Sequence, residues 1–236
     1  MKKIIGLMFG VMLSLNVMAD EWYDETTGFT WYYTISGDAA ILTGCSPKEG
    51  QLPPLPSVLG GKTVKVIKGY AFSSCSGLSG SLTIPDSVTA IEELAFYGCS
   101  GLTGPLSIPD SVMTIGRSAF YNCSGFASSL TIPDSVMMIG EQAFAHCSGF
   151  TGSLTIPNSV KVIESHAFAY CTGFTGSLTI PDSVTTIKRH AFLRCSGFTG
   201  SLMIGNSVTT IEELAFHYCS GFTGSLKIPS SVTTIG

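Results

Sequence analysis

Seven cysteines, Cys75, Cys99, Cys123, Cys147, Cys171, Cys195 and Cys219, follow one another at a constant interval of 24 residues, and the residues around them recur with the same period. The unit reads SLTIPDSVTAIEELAFYGCSGLTG from Ser81 to Gly104 and returns as SLTIPDSVMMIGEQAFAHCSGFTG from Ser129 to Gly152. It returns again as SLTIPDSVTTIKRHAFLRCSGFTG from Ser177 to Gly200. A period of this length specifies a solenoid, in which no unit buries its apolar residues alone and each closes against its neighbours. Such a chain presents the same few surface positions repeatedly, so functional signal is sought in the positions that vary.

Within one unit the apolar positions describe the path of the chain. Leu82 and Ile84 alternate with Thr83, the period of a strand with one buried face. Pro85 ends that strand, having no amide hydrogen for a sheet, and Asp86 and Ser87 are expected to turn the chain by capping nearby backbone amides. Val88 to Ile91 forms a second short extended piece. Ala95, Phe96 and Cys99 recur at i, i+1 and i+4, a spacing that predicts a single helical turn. Gly101 and Gly104, both expected at positive φ, close the coil around an inward Leu102. The expected core is therefore Leu82, Ile84, Val88, Ile91, Phe96 and Cys99 with their equivalents, stacked about 4.8 Å apart.

The run L-x-I-P-x-S-V-x-x-I-x-x-x-A-F-x-x-C resembles the treponemal-type leucine-rich repeat of the BspA-like surface proteins, with Ile84, Pro85, Ile91, Ala95, Phe96 and Cys99 on its signature. The resemblance covers about Val58 to Gly236. It implies a leucine-rich-repeat solenoid: a right-handed coil of short parallel strands with one helical turn per 24-residue repeat, on an exported bacterial protein. It also implies adhesion to host matrix proteins and to other cells, and it brings no catalytic residues. Gly205 stands where the signature has proline and Pro105 where it usually has serine, changes expected to loosen or redirect the loops concerned.

Both ends depart from the repeat. Residues 1–19 read as a secretory signal peptide, with a charged Lys2-Lys3 start, an apolar run from Ile4 to Val17, and a Val17-Met18-Ala19 site that places cleavage after Ala19. The apolar run is shorter than the roughly 20 residues of a membrane span, so a secreted or cell-surface protein without membrane insertion is expected. Residues 20–57 read as an N-terminal cap and linker. Trp31 to Ile35, a Ser36-Gly37-Asp38 turn and Ala39 to Thr43 predict a β-hairpin lying across the first coil over Val58, Val64 and Ile67. The array, residues 58–236, stops at Thr234-Ile235-Gly236 inside a repeat. The expectation is either a piece of a longer protein or an apolar end open to end-to-end self-association.

Composition restricts the chemistry. Charged residues are 12% of the chain, against about 25% in an average domain. Removing Lys2 and Lys3 moves the formal charge from −4 to −6, which leaves no basic footprint for nucleic acid or anionic lipid. Cysteines in one column lie about 4.8 Å apart with parallel side chains, whereas a disulfide needs Cβ atoms near 3.8 Å and converging. A buried ladder of free thiols acting as small apolar side chains is expected, with the off-period Cys45 reacting first. Ligands in a line do not converge on a metal, so no metal site is expected.

The other recurrent polar columns have plain readings. Asp86, Asp110, Asp134 and Asp182 share a phase with Asn158, Asn206 and Ser230, and that mixture suits turn capping better than a calcium ladder. Glu93, Arg117 and Glu141, like Glu164, Lys188 and Glu212, alternate in sign and predict surface ion-pair ladders. His166 and His190 share a phase but have no nucleophile or orienting carboxylate beside them, so they are expected to be exposed polar filler. No phosphate-binding glycine loop, catalytic triad or acid–base pair appears, and the chain is read as a non-enzyme without cofactors.

The column just before each cysteine varies toward residues common at interfaces. Besides Asn122 it carries His146, Tyr170, Arg194 and Tyr218, and Tyr97, Tyr121 and His217 lie beside it. Tyr and Arg are enriched at binding hot spots, which makes these seven the candidate ligand-binding stripe. The expected function is a non-catalytic secreted or cell-surface adhesion module for a host or matrix protein or a glycan. The alternative is a structural protein that stacks on itself.

Overall fold

The computed structural model describes residues 19–236. The expected signal peptide, Ala19 apart, lies outside the described residues.

From Lys62 onward each circuit of 24 residues lies on the one before it, residue on equivalent residue: Val66 pairs with Ala90 and Ile67 with Ile91, then Ala90 with Thr114 and Ile91 with Ile115, all parallel. These short strands run in one sheet to Met138–Ile139 and in a second from Val162–Ile163 to Thr234–Ile235. The Leu-x-Ile segments form another flank, where Leu178–Ile180, Leu202–Ile204 and Leu226–Lys227 pair in register. This register follows from the period: shifting one coil by one residue would turn the inward Ile and Leu side chains to solvent.

The expected helical turn at Ala95–Cys99 is not formed. Leu94 and Gly98 both have left-handed backbones, with φ of 56° and 72°, and this pair of conformations recurs in every coil. Amide hydrogens then alternate between two destinations. Those of Ala95, Tyr97 and Cys99 close tight turns onto Glu92, Leu94 and Phe96, while those of Leu94, Phe96 and Gly98 reach the carbonyls of Arg117, Ala119 and Tyr121 in the next coil. A helix would point every amide along its own axis, leaving this flank of each coil unpaired with its neighbour. The spacing i, i+1, i+4 identified inward residues but could not distinguish a helix from turns that share its radius.

Bonding direction also reverses around the coil. On the strand flank the later coil donates to the earlier, as in Glu92 N–H to Ile67 O at 3.0 Å, whereas on the turn flank the earlier donates to the later, as in Phe96 N–H to Ala119 O at 2.8 Å. Each coil is thereby tied to both neighbours by donors and acceptors alike.

The interior is a set of columns. Phe72, Phe96, Phe120, Phe144, Phe168, Phe192 and Phe216 stack face on face with ring centroids 4.9 to 5.6 Å apart. A second column, Phe126, Phe150, Phe174, Phe198 and Phe222, meets the first edge-on, as between Phe120 and Phe126. The expected core residues are buried through Ile211, but Leu226 and Ile235 are 61% and 62% exposed because no described coil lies over them. Gly104 has the expected positive φ of 79°. Gly101 does not: a Cβ there would collide with the carbonyl oxygens of Ser76 and Leu78, so closeness of coils explains its glycine. Gly205 leaves its turn intact, with Val208 N–H bonded to its carbonyl at 3.2 Å as Val88 N–H is to Pro85 at 3.0 Å.

The N-terminal region extends the solenoid sheet rather than lying across it. β1 (Asp20–Asp24), β2 (Phe29–Ser36) and β3 (Ala39–Ser46) form an antiparallel meander, and β3 pairs in parallel with Lys62–Ile67. Val64 and Ile67 are fully buried as expected, but Val58, in a short strand folded back on Lys62–Ile67, is 54% exposed. The linker already follows the coil path, since Glu49–Gln51 pairs with Gly77–Ser79.

Candidate functional site

The two left-handed residues of each turn flank determine what the surface shows. Asn122, His146, Tyr170, Arg194 and Tyr218 all have φ between 56° and 62°. A side chain costs roughly 1 to 2 kcal/mol in this region relative to glycine. Gly98 shows that glycine is accepted at this position. Large Tyr, His and Arg side chains stand there in a conformation that disfavours them, and the coil repeat gives each the same direction.

The structure brings the seven sequence-selected residues into one unbroken ladder. Tyr97 and Tyr121 stack at 4.9 Å, Tyr121 meets His146 at 5.1 Å, and His146 stacks on Tyr170 at 4.3 Å. The Arg194 guanidinium lies 5.8 Å from the Tyr170 ring centre and 4.6 Å from that of Tyr218, which contacts His217 at 4.0 Å. The ladder steps sideways by one sequence position between Tyr121 and His146. It does so where the Tyr97–Tyr121 column continues as the buried Ala145 and Ala169, too small to carry it on.

The ladder is half-buried from Tyr97 to Tyr170 and exposed at Arg194, His217 and Tyr218. Burial holds the His146 imidazole below its ordinary pKa, keeping it neutral at neutral pH. Burial, then Tyr97 and Tyr170, raises the Tyr121 phenol. Tyr121 and His146 thus add no charge beside the permanent charge of Arg194.

A shallow groove runs beside its exposed half, lined by Tyr170, Thr172, Arg194, Ser196, Tyr218 and Ser220. Thr172, Ser196 and Ser220 were not singled out from sequence. The available signal was the Ser or Thr that follows every repeat cysteine, which reads as turn filler until the ladder beside it is seen.

The other polar columns act mainly between coils. Ser87 Oγ donates to Val64 O at 2.7 Å, and Ser111, Ser135, Ser159 and Ser231 repeat the bond, so these serines hold the preceding coil rather than cap their own turn. Asp134 and Asp182 likewise accept from the amides of Asn158 and Asn206 one coil on. Ion pairs join Glu93 to Arg117 at 3.9 Å and Glu164 to Lys188 at 2.7 Å. His166 and His190 are half-buried, not exposed: their rings lie 4.7 Å apart and both Nδ1 atoms are buried without a hydrogen-bond partner among the described residues. Among the described residues no group of three or more His, Cys, Asp or Glu is placed to hold a metal ion, and no helix is long and apolar enough to cross a membrane.

Residues 55–172 and 150–236 match the BspA type leucine rich repeat region, in six copies. A crystallised leucine-rich repeat protein of Treponema pallidum is similar at 28% identity and a TM-score of 0.71, over 81% of this chain and 87% of that one. A leucine-rich cell surface protein of Faecalibacterium prausnitzii is similar at the same 28% identity and TM-score of 0.71, over 91% of this chain and 55% of that one. No functionally curated protein matches the sequence.

Proposed function

We propose that this chain, which belongs to the BspA-type leucine-rich repeat family, is a non-catalytic module displayed outside the bacterial cell that binds a host or matrix protein or a glycan through the ladder from Tyr97 to Tyr218. The family's repeat surface and the likeness to a cell surface protein support a surface binding role. The observation that carries the choice of face is the ladder's continuity: residues picked separately by type stand in contact, four of them, His146, Tyr170, Arg194 and Tyr218, on a disfavoured backbone conformation.

Four coil steps separate Tyr121 from Tyr218, about 19 Å, which suits an extended segment and is small for a whole protein interface. Affinity is therefore modest per copy, and multivalent display supplies strength. The test is a binding screen against matrix proteins and glycans, followed by a quadruple alanine variant at Tyr121, Tyr170, Arg194 and Tyr218. The control changes Thr83, Thr131, Thr155 and Thr179 on the exposed strand face. Loss of binding in the first variant alone supports the ladder, whereas loss in the second alone moves the contact surface to the sheet. The competing reading, structural self-stacking, predicts oligomers that dissociate on dilution.

A further inference from the structure

Arg194 differs from the other arginines of the chain. Arg117 and Arg189 face Glu93 and Glu213 at 3.9 and 3.3 Å. Among the described residues Arg194 has neither an ion-pair partner nor a hydrogen bond from its guanidinium. It is held over the rings of Tyr170 and Tyr218 at 5.8 and 4.6 Å. A guanidinium placed over aromatic rings keeps its in-plane N–H fork free, and that fork matches the two oxygens of a carboxylate.

The groove around it is otherwise neutral and polar. The hydroxyls of Thr172, Ser196 and Ser220 line it, no acidic side chain does, and none of the three hydroxyls is bonded elsewhere among the described residues. In a chain of formal charge −4, this is a local cationic position without its own counter-ion.

We propose that this groove recognises a carboxylate side chain on an acidic peptide segment, with Arg194 as its bidentate partner. The inference rests on the ladder being the contact surface and adds the chemistry of what it takes. A peptide is favoured over an acidic sugar because the Tyr170 ring is covered by His146, stacked at an angle of 10°, and by Arg194, which also covers one face of Tyr218. Sugar stacking needs an open ring face, whereas an acidic side chain needs only the Arg194 fork and the groove hydroxyls. Tyr170 to Tyr218 spans two coil steps, about 10 Å, or roughly three residues of extended peptide.

The chain's small arginine set gives a direct test, since Arg117, Arg189 and Arg194 are its only arginines and each contributes one Nε–H resonance. The probe is a short Ser/Thr peptide with a central Glu, compared with the same peptide carrying Gln and with a hexuronic acid oligosaccharide. The expected result is a saturable shift of the Arg194 resonance with the Glu peptide alone. Arg117 and Arg189 stay still, and the effect weakens when salt is raised to about 0.5 M. Arg194→Lys, which keeps the charge and removes the fork, lowers Glu-peptide affinity roughly tenfold, and Arg189→Gln leaves it unchanged.

Equal response to Glu and Gln peptides, no response to either, or movement of Arg194 only with the oligosaccharide overturns the proposal. If the peptides fail while the quadruple alanine variant still loses a matrix or glycan ligand, the carboxylate assignment falls and the ladder stands. If that variant loses nothing, the ladder itself falls.

Discussion

The thiol of Cys147 donates a hydrogen bond of 2.9 Å to the carbonyl oxygen of Phe120, on the preceding coil. The same bond, at 3.0 Å, joins Cys99 to Phe72, Cys123 to Phe96, Cys171 to Phe144, Cys195 to Phe168 and Cys219 to Phe192. The Phe120 carbonyl also accepts Cys123 N–H at 3.2 Å, so each of these oxygens is shared between its own coil and the next. The column combines small size, an apolar surface and a donor long enough to reach one coil back, which explains cysteine there rather than alanine or valine.

That double role predicts a graded response to core substitutions. Phe144→Ala removes a ring stacked on both sides and should cost about 3 to 5 kcal/mol. Cys147→Ala leaves the Phe120 carbonyl one partner short at a buried site and should cost about 1 to 3 kcal/mol. Urea unfolding with both variants checks the order. A Cys147→Ala protein as stable as the parent would show that the thiol bond contributes nothing.

Thiol reactivity should follow position in the column. Cys45, though off-period, is 1% exposed with its pKa pushed to about 12 by burial, which overturns the expectation that it reacts first. Cys219, half-buried, is raised by burial to about 11. Alkylation followed by peptide mapping should therefore label Cys219, the only one of the eight that is not fully buried, before Cys45, Cys75 and Cys99 to Cys195. In denaturant all eight cysteines should be modified, because none is paired. Cross-linked neighbours would contradict the ladder.

The same burial sets an alkaline limit. Cys147 is raised by desolvation from the ordinary 9.0 to about 12, so the folded chain keeps a proton that the unfolded chain gives up. A raised folded pKa stabilises fully below the unfolded value, and that contribution is lost between pH 9 and about 12. The expected slope is about 1.4 kcal/mol per pH unit per thiol. Denaturation under reducing conditions across this range should show a steep fall in stability that Cys147→Ala makes shallower by one thiol's share. Stability that stays flat above pH 9 would mean the thiols titrate alike folded and unfolded.

Most of the fold was legible because the period of 24 residues repeats every inward position in the same phase. The alternation of Leu82, Thr83 and Ile84 and the inward Phe96 and Cys99 needed no further information. The turn geometry was not legible: Leu94, Gln142, His166 and Tyr170 are ordinary residues whose left-handed backbones are imposed by bonds to the next coil, not by local preference. The seven ladder residues were selected by type and column, but their mutual contact was not, because it depends on the sideways step from Tyr121 to His146. The Arg194 position between two rings could be read only from three-dimensional placement.

The most direct test of the account is hydroxyl-radical footprinting of the chain, free and bound to a ligand found in the matrix and glycan screen. The account predicts protection of Tyr121, Tyr170, Arg194 and Tyr218, with Thr83, Thr131, Thr155 and Thr179 unchanged. Protection of the threonine column with the ladder left reactive would contradict it.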